Sequence, residues 1–273
     1  MIRGMIHINT ILLMMMVVVG YAAVAPYAYA QGSSMDDDLK LIVSIEEMRG
    51  HLMQALNNKG MGNDDLAVSH AGHPAAEYLG EIVPIVEQRS PELMDELRDR
   101  LIMLPSKVQF ISYEELREEI DAIDALLEDA SNLISDENKN NIQFWFEVIK
   151  VLLEHAQGEY EEGVEEEGVV SSIIEYQDAQ AFVIRAENVF SSKVKNSISQ
   201  DASSMIERFF TDAKSAIDEK RSADSLRDLI DGIMPVIPEF PVNLMLILVG
   251  VVASVIIAGR VLVPAMGSNM QQG

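Results

Sequence analysis

Between residues 36 and 234 apolar positions recur every three to four residues, and no stretch alternates apolar with polar long enough to make a strand. Leu39, Ile42, Val43, Leu52, Ala55 and Leu56, interspersed with Glu46, Glu47, Arg49 and His51, predict an amphipathic first helix. Pro91 behind Ser90 fits the first helical position after an N-cap, where the missing N–H costs nothing. Ser112-Tyr113-Glu114-Glu115 reads as a capping box ahead of Leu116, Ile120, Ile123, Leu126 and Leu127. Ser135 caps the next segment, a long helix from about 137 to 161 that carries Ile142, Trp145, Phe146, Ile149, Leu152 and Leu153. Later helices are predicted over 165–192, 201–220 and 222–234. The predicted fold class is all-α.

The helical region also resembles itself. Leu116-Arg117-Glu118-Glu119-Ile120-Asp121-Ala122-Ile123 recurs as Leu226-Arg227-Asp228-Leu229-Ile230-Asp231-Gly232-Ile233. Each copy closes a block of four helices, 31–134 and 135–237, whose apolar stripes would be buried by near-antiparallel packing through short loops. The expectation is two tandem four-helix blocks forming one elongated helical ectodomain.

The two ends read differently. Residues 1–30 hold one charge, Arg3, then an apolar run from Ile11 to Val19 and a small-residue box ending Ala28-Tyr29-Ala30, the layout of a cleaved secretory signal. From Val242 to Gly259 the chain is apolar except for Asn243 and Ser254 and carries no charge. At about 1.5 Å per residue such a run is long enough to cross a hydrocarbon core as a helix. The expectation is an extracytoplasmic helical region, a single C-terminal membrane span, and a short cytoplasmic tail over 261–273 behind Arg260. The order Pro238-Glu239-Phe240, apolar run, Arg260 resembles the PEF-type C-terminal sorting signals of archaeal surface proteins, which implies a cell-surface protein anchored or processed through residues 238–260.

Charge narrows the function. All 44 acidic residues, and all but Arg3 and Arg260 of the 20 basic ones, fall between residues 36 and 239. So acidic a region repels a polyanion, which excludes a nucleic-acid partner. The absence of cysteine removes disulfide scaffolds, thiol catalysis and thiolate metal sites, leaving packing to stabilise the fold. No nucleophile triad, phosphate-binding glycine loop or dinucleotide fingerprint is present, so the expected protein is not an enzyme.

The second block carries Glu175-Tyr176-Gln177-Asp178-Ala179, Phe182-Val183, Ala186-Glu187 and Phe190, then Met205-Ile206-Glu207-Arg208-Phe209-Phe210 and the Leu226 motif. This order resembles the duplicated helical extracytoplasmic domain associated with some iron permeases. The permease's own membrane helices and their Arg-Glu-Gly-x-Glu motifs are missing, so the resemblance implies metal capture or hand-over beside a metal transporter, with iron favoured. Imelysin-like proteins are a second comparison, discarded because no histidine between residues 31 and 237 is followed by a glutamate three residues on.

Four histidines lie beyond the leader: His51, His70, His73 and His155. Bundles bind metals through His and carboxylates at i, i+3 or i+4 spacing on facing helices. His70 and His73 bracket Ala71-Gly72 and precede Pro74, Glu77 follows His73 by one turn, and Glu47 precedes His51 by one turn. Pro74 takes the helical partner from the carbonyl of His70 and biases His73 away from helical geometry, opening a niche beside two imidazoles. The candidate metal ligands are therefore His70, His73 and Glu77, faced by His51 and Glu47, for iron or another divalent metal. The competing reading is a structural or interaction protein of the cell surface with no metal site.

Overall fold

The computed structural model describes residues 35–165 and 168–236. The leader (1–30), the candidate span (242–259), the sorting signal and the tail lie outside the described residues. Among the described residues no helix is long and apolar enough to cross a membrane.

Helix α1 (35–61) departs from the amphipathic expectation: every residue from Leu41 to Met48 is buried. A helix with Glu46, Glu47 and Arg49 in its middle can be enclosed only if each charge is met, because an unpaired buried charge costs several kcal/mol. The partners come from far along the chain. Glu46 is held by Arg185 and by Arg49 at 2.8 Å, while Arg49 also reaches Asp124 at 2.6 Å and Glu128 at 2.8 Å. Glu47 pairs with His155. Periodicity alone could not show this, since pairing across helices leaves no local pattern.

After a turn at Gly62, helix α2 (Asp64–His73) runs through one π-helical turn (Pro74–Tyr78) into α3 (Leu79–Arg89). Helices α4 (Pro91–Val108) and α5 (Tyr113–Ser131) follow. The capping box at Ser112 forms: its hydroxyl accepts the Glu115 N–H at 3.3 Å, and the Glu115 carboxylate accepts the Ser112 N–H at 2.8 Å.

The long helix expected from 137 is broken. A short α6 (Asp136–Lys139), capped by Ser135, ends at Asn140, and Asn141 starts α7 (Ile142–Gly163) by accepting the Gln143 N–H at 3.0 Å. Helix α8 (Ile173–Val189) starts eight residues later than its pattern implied. Gly168 adopts φ +76°, and a Cβ on Gly163 would lie 2.6 Å from the backbone nitrogen of Tyr176. That tight turn folds α8 back along α7. A π turn (Phe190–Val194) and a 3-10 turn (Lys195–Ser197) lead to α9 (Gln200–Asp218), followed by α10 (Ala223–Ile233).

The architecture is all-helical, and among the described residues the one β feature is an isolated bridge between Val164 and Val170. With α2 and α3 taken as one rod and α6 as the lead-in to α7, the described residues supply four rods before Ser135 and four after. Leu116, Ile120 and Ile123 of α5 and Leu226, Ile230 and Ile233 of α10 are buried at equivalent positions. The described residues cluster as one compact unit. Gly50 of α1 sits against α8 so closely that a Cβ there would lie 3.2 Å from both Ala181 and the Phe182 ring. This approach places His51 next to the middle of α8.

Candidate metal centre

Three of the predicted ligands meet a fourth group. His51 comes from α1, His70 and His73 from one face of α2, and Asp178 from α8. One donor atom from each lies within 4.8 Å of the other three. Donors about 2.1 Å from one tetrahedral ion sit about 3.4 Å apart, so small side-chain rotations close the remaining gap.

Pro74 acts differently from expectation. His73 stays helical at φ −58°, ψ −42°, and the helix runs on through Pro74 into one wide turn in which the Leu79 N–H reaches the Pro74 carbonyl. Both histidines therefore stay one helical turn apart and face the same way.

The interior of the cluster is short of hydrogen bonds. Among the described residues five buried side-chain polar atoms lack a partner, and four of them are here: Nδ1 of His51, His70 and His73, and Oδ1 of Asp178. His51 Nδ1 is 2.8 Å and His70 Nδ1 3.1 Å from that oxygen, and His73 Nδ1 is 3.6 Å from Oδ2. None of the three is an aligned N–H donor to the carboxylate.

The outer nitrogens explain why. The Gln177 amide oxygen lies 2.8 Å from His70 Nε2 and also accepts from Asn58 at 2.9 Å, which fixes it as an oxygen. His70 Nε2 must then carry the proton and donate, leaving Nδ1 a lone pair aimed inward. Gln54 in turn holds the Gln177 backbone carbonyl at 2.7 Å. His51 Nε2 lies 3.2 Å from the Tyr78 hydroxyl, which can accept its proton in the same way. Burial first, then the charges of Glu47 and Glu77, push the Tyr78 hydroxyl well above the ordinary tyrosine range, so it stays neutral.

Asp178 is 2 % exposed. Asp178 raises His73 despite partial burial, with Glu77 adding to the effect. Three imidazoles facing one buried carboxylate form a donor set for a borderline divalent cation, since imidazole suits iron, zinc, copper and nickel. The unpartnered Nδ1 and Oδ1 atoms are the donors such an ion would take up.

The other two candidates fall differently. Glu77 sits half-exposed at the rim, 3.6 Å from His73 Nδ1 and 3.7 Å from His51 Nε2, outside the group of four. Glu47 is buried but turned away, bound to His155 of α7. Its one-turn spacing from His51 is incidental to the donor group. Asp178 lies outside the sequence-predicted ligand set, yet it carries a signal: it lies one turn before Phe182 on the buried stripe of α8, where an aspartate needs a partner.

Residues 135–237 match the family model of the iron permease-associated 4-helix bundle domain. No curated protein and no solved structure matches the chain. The match supports the resemblance for the second half of the helical region. It contains Asp178 and Gln177, whereas His51, His70 and His73 come from the stretch before it.

Proposed function

We propose that this protein binds a divalent transition-metal ion, with iron favoured, as cargo held by His51, His70, His73 and Asp178. The observation that carries the reading is the convergence of four buried, unpartnered donor atoms on one point. Leaving such atoms without hydrogen bonds costs about 1–3 kcal/mol each, and a bound cation offsets that cost. Iron is favoured by the chemistry of imidazole with carboxylate and by the match of 135–237 to a domain associated with iron permeases.

In this reading Gln177 and Tyr78 orient the imidazoles, and Glu77 guards the rim. The two four-rod stretches, 31–134 and 135–237, act as two blocks that bring ligands to a shared seam. The secretory leader and the apolar run behind Pro238-Glu239-Phe240 support an extracytoplasmic position and a membrane anchor. The working role is non-enzymatic capture at the cell surface and hand-over to a metal transporter.

Calorimetric titration of the full chain with iron(II) under anaerobic conditions, and with zinc(II), tests this. Stoichiometric binding that is lost in a His70→Ala/His73→Ala double variant is expected. Binding unchanged in that variant would leave a surface scaffold without a specific site.

A further inference from the structure

Away from the histidine cluster, a cleft of about 230 Å³ lies where α1, α5, α7 and α8 come together. Part of its lining is apolar and buried: Ile42 of α1, Trp145 of α7 and Val189 of α8. Its charged lining holds three basic side chains, Arg49, Arg185 and Lys193, and two acidic ones, Glu46 and Glu128. In a chain with 44 acidic and 20 basic residues, that balance is reversed.

Some of these cations are fully engaged and others are not. Arg49 gives Nε to Asp124, Nη1 to Glu46 and Nη2 to Glu128. Arg185 gives Nε and Nη2 to Glu46, which leaves its Nη1 without an acceptor among the described residues. Lys193 has no carboxylate partner among them either, and its Nζ rests 4.9 Å from the centre of the Trp145 ring. The Asn188 side-chain amide, one turn after Arg185 on α8, is likewise unengaged there. Lys193 comes from the π turn Phe190–Val194 that follows α8, and π turns inside helices frequently mark functional sites.

We propose that this cleft binds a small organic carboxylate. Its charge is met by the Lys193 ammonium and the free edge of Arg185, and the Asn188 amide donates to the same head. Ile42, Val189 and Trp145 offer a short carbon body an apolar wall, which inorganic phosphate would leave unused. The cleft is smaller than the ~300–1,000 Å³ of pockets that take drug-sized ligands, so the acid has only a few carbons. No residue of the cleft is a donor in the histidine centre, and the two sites stand or fall separately.

Trp145 is the one tryptophan of the chain, so its fluorescence reports on the cleft directly. The metal-free full chain is titrated with glutarate, butyrate and inorganic phosphate, at ionic strength held constant with sodium chloride. A saturable change is expected with glutarate and butyrate, and a much weaker one with phosphate. Lys193→Met should raise the glutarate midpoint about tenfold, the scale of one charge-assisted hydrogen bond. Asn188→Leu should raise it less, and Lys195→Met, whose ammonium pairs with Glu207, should leave it unchanged. Because Lys193→Met also alters the surroundings of the ring, saturation-transfer NMR on the glutarate methylenes supplies an independent midpoint. No saturable response to either acid, or the same midpoint in Lys193→Met as in the parent, overturns the site. Phosphate binding as tightly as glutarate overturns the organic class of ligand.

Discussion

Asp38 and Asp178 are both buried aspartates on helices, and they are treated in opposite ways. Asp38 is fully enclosed, and its oxygens are used up: Arg89 donates at 2.7 Å, the Ser135 N–H at 2.9 Å and the Asn138 amide at 2.9 Å. It ties the start of α1 to the end of α3 and to the cap of α6. Asp178 is as deeply buried, yet its neighbours are imidazoles that present lone pairs, not aligned donors. A satisfied buried acid is a structural joint. A buried acid facing three imidazole nitrogens that lack hydrogen-bond partners is half of a binding site, complete only when a cation arrives.

The comparison can be broken at either residue. Asp38→Ala leaves Arg89 without its partner, and breaking such a pair costs about 3 kcal/mol after allowing for the partial exposure of Arg89. Urea unfolding of the full chain should show that loss with or without metal. Asp178→Asn should behave inversely. The metal-free variant stays close to the parent in stability, while the stabilisation from metal at a hundred times its Kd, about 2.7 kcal/mol in the parent, disappears. If metal stabilises Asp178→Asn as much as the parent, the two aspartates are not different in kind.

A subtler change moves the helices and not the ligands. Gly50→Val adds side-chain atoms where even a Cβ meets Ala181 and Phe182 at 3.2 Å, and such overpacking costs about 2 kcal/mol. Because the adjoining His51 would be pushed away from Asp178, metal affinity should fall along with thermal stability. Unchanged affinity would mean that the α1–α8 approach does not position the site.

The smallest effects are in pH dependence. Burial tends to raise Asp38, but Ser135, Asn138 and Arg89 together hold it below 3.8. Its contribution is therefore present above that value and lost as pH falls through the lowered one, and Asp38→Ala should lack this acid limb. His155 is raised by its bond to Glu47, against partial burial. Its contribution is complete below 6.5 and fades as pH rises through the raised value, so His155→Asn should flatten that alkaline decline. Half of the His155 side chain is exposed, which keeps the effect modest.

What could be read in advance was local. The all-helical class, the Ser112 capping box and the His70–His73 pair beside Pro74 each rest on residues within one or two turns. The break at Asn140-Asn141 is also local, but Ser135 competed with it as a cap. The remainder depends on partners from distant helices. Glu47 reads as a ligand beside His51 until His155 of α7 takes it, and α1 reads as amphipathic until Arg185, Asp124 and Glu128 enclose its charges. Asp178 joins the histidines only because Gly50 lets α1 close on α8. The family match, confined to 135–237, likewise holds the carboxylate side of the centre without its imidazoles.

X-ray absorption of the full chain loaded with one equivalent of iron(II) tests the centre most directly. The account predicts a nitrogen and oxygen shell at about 2.1 Å with strong outer scattering from three imidazole rings, much reduced in the His70→Ala/His73→Ala variant. An all-oxygen shell with no imidazole scattering would contradict it.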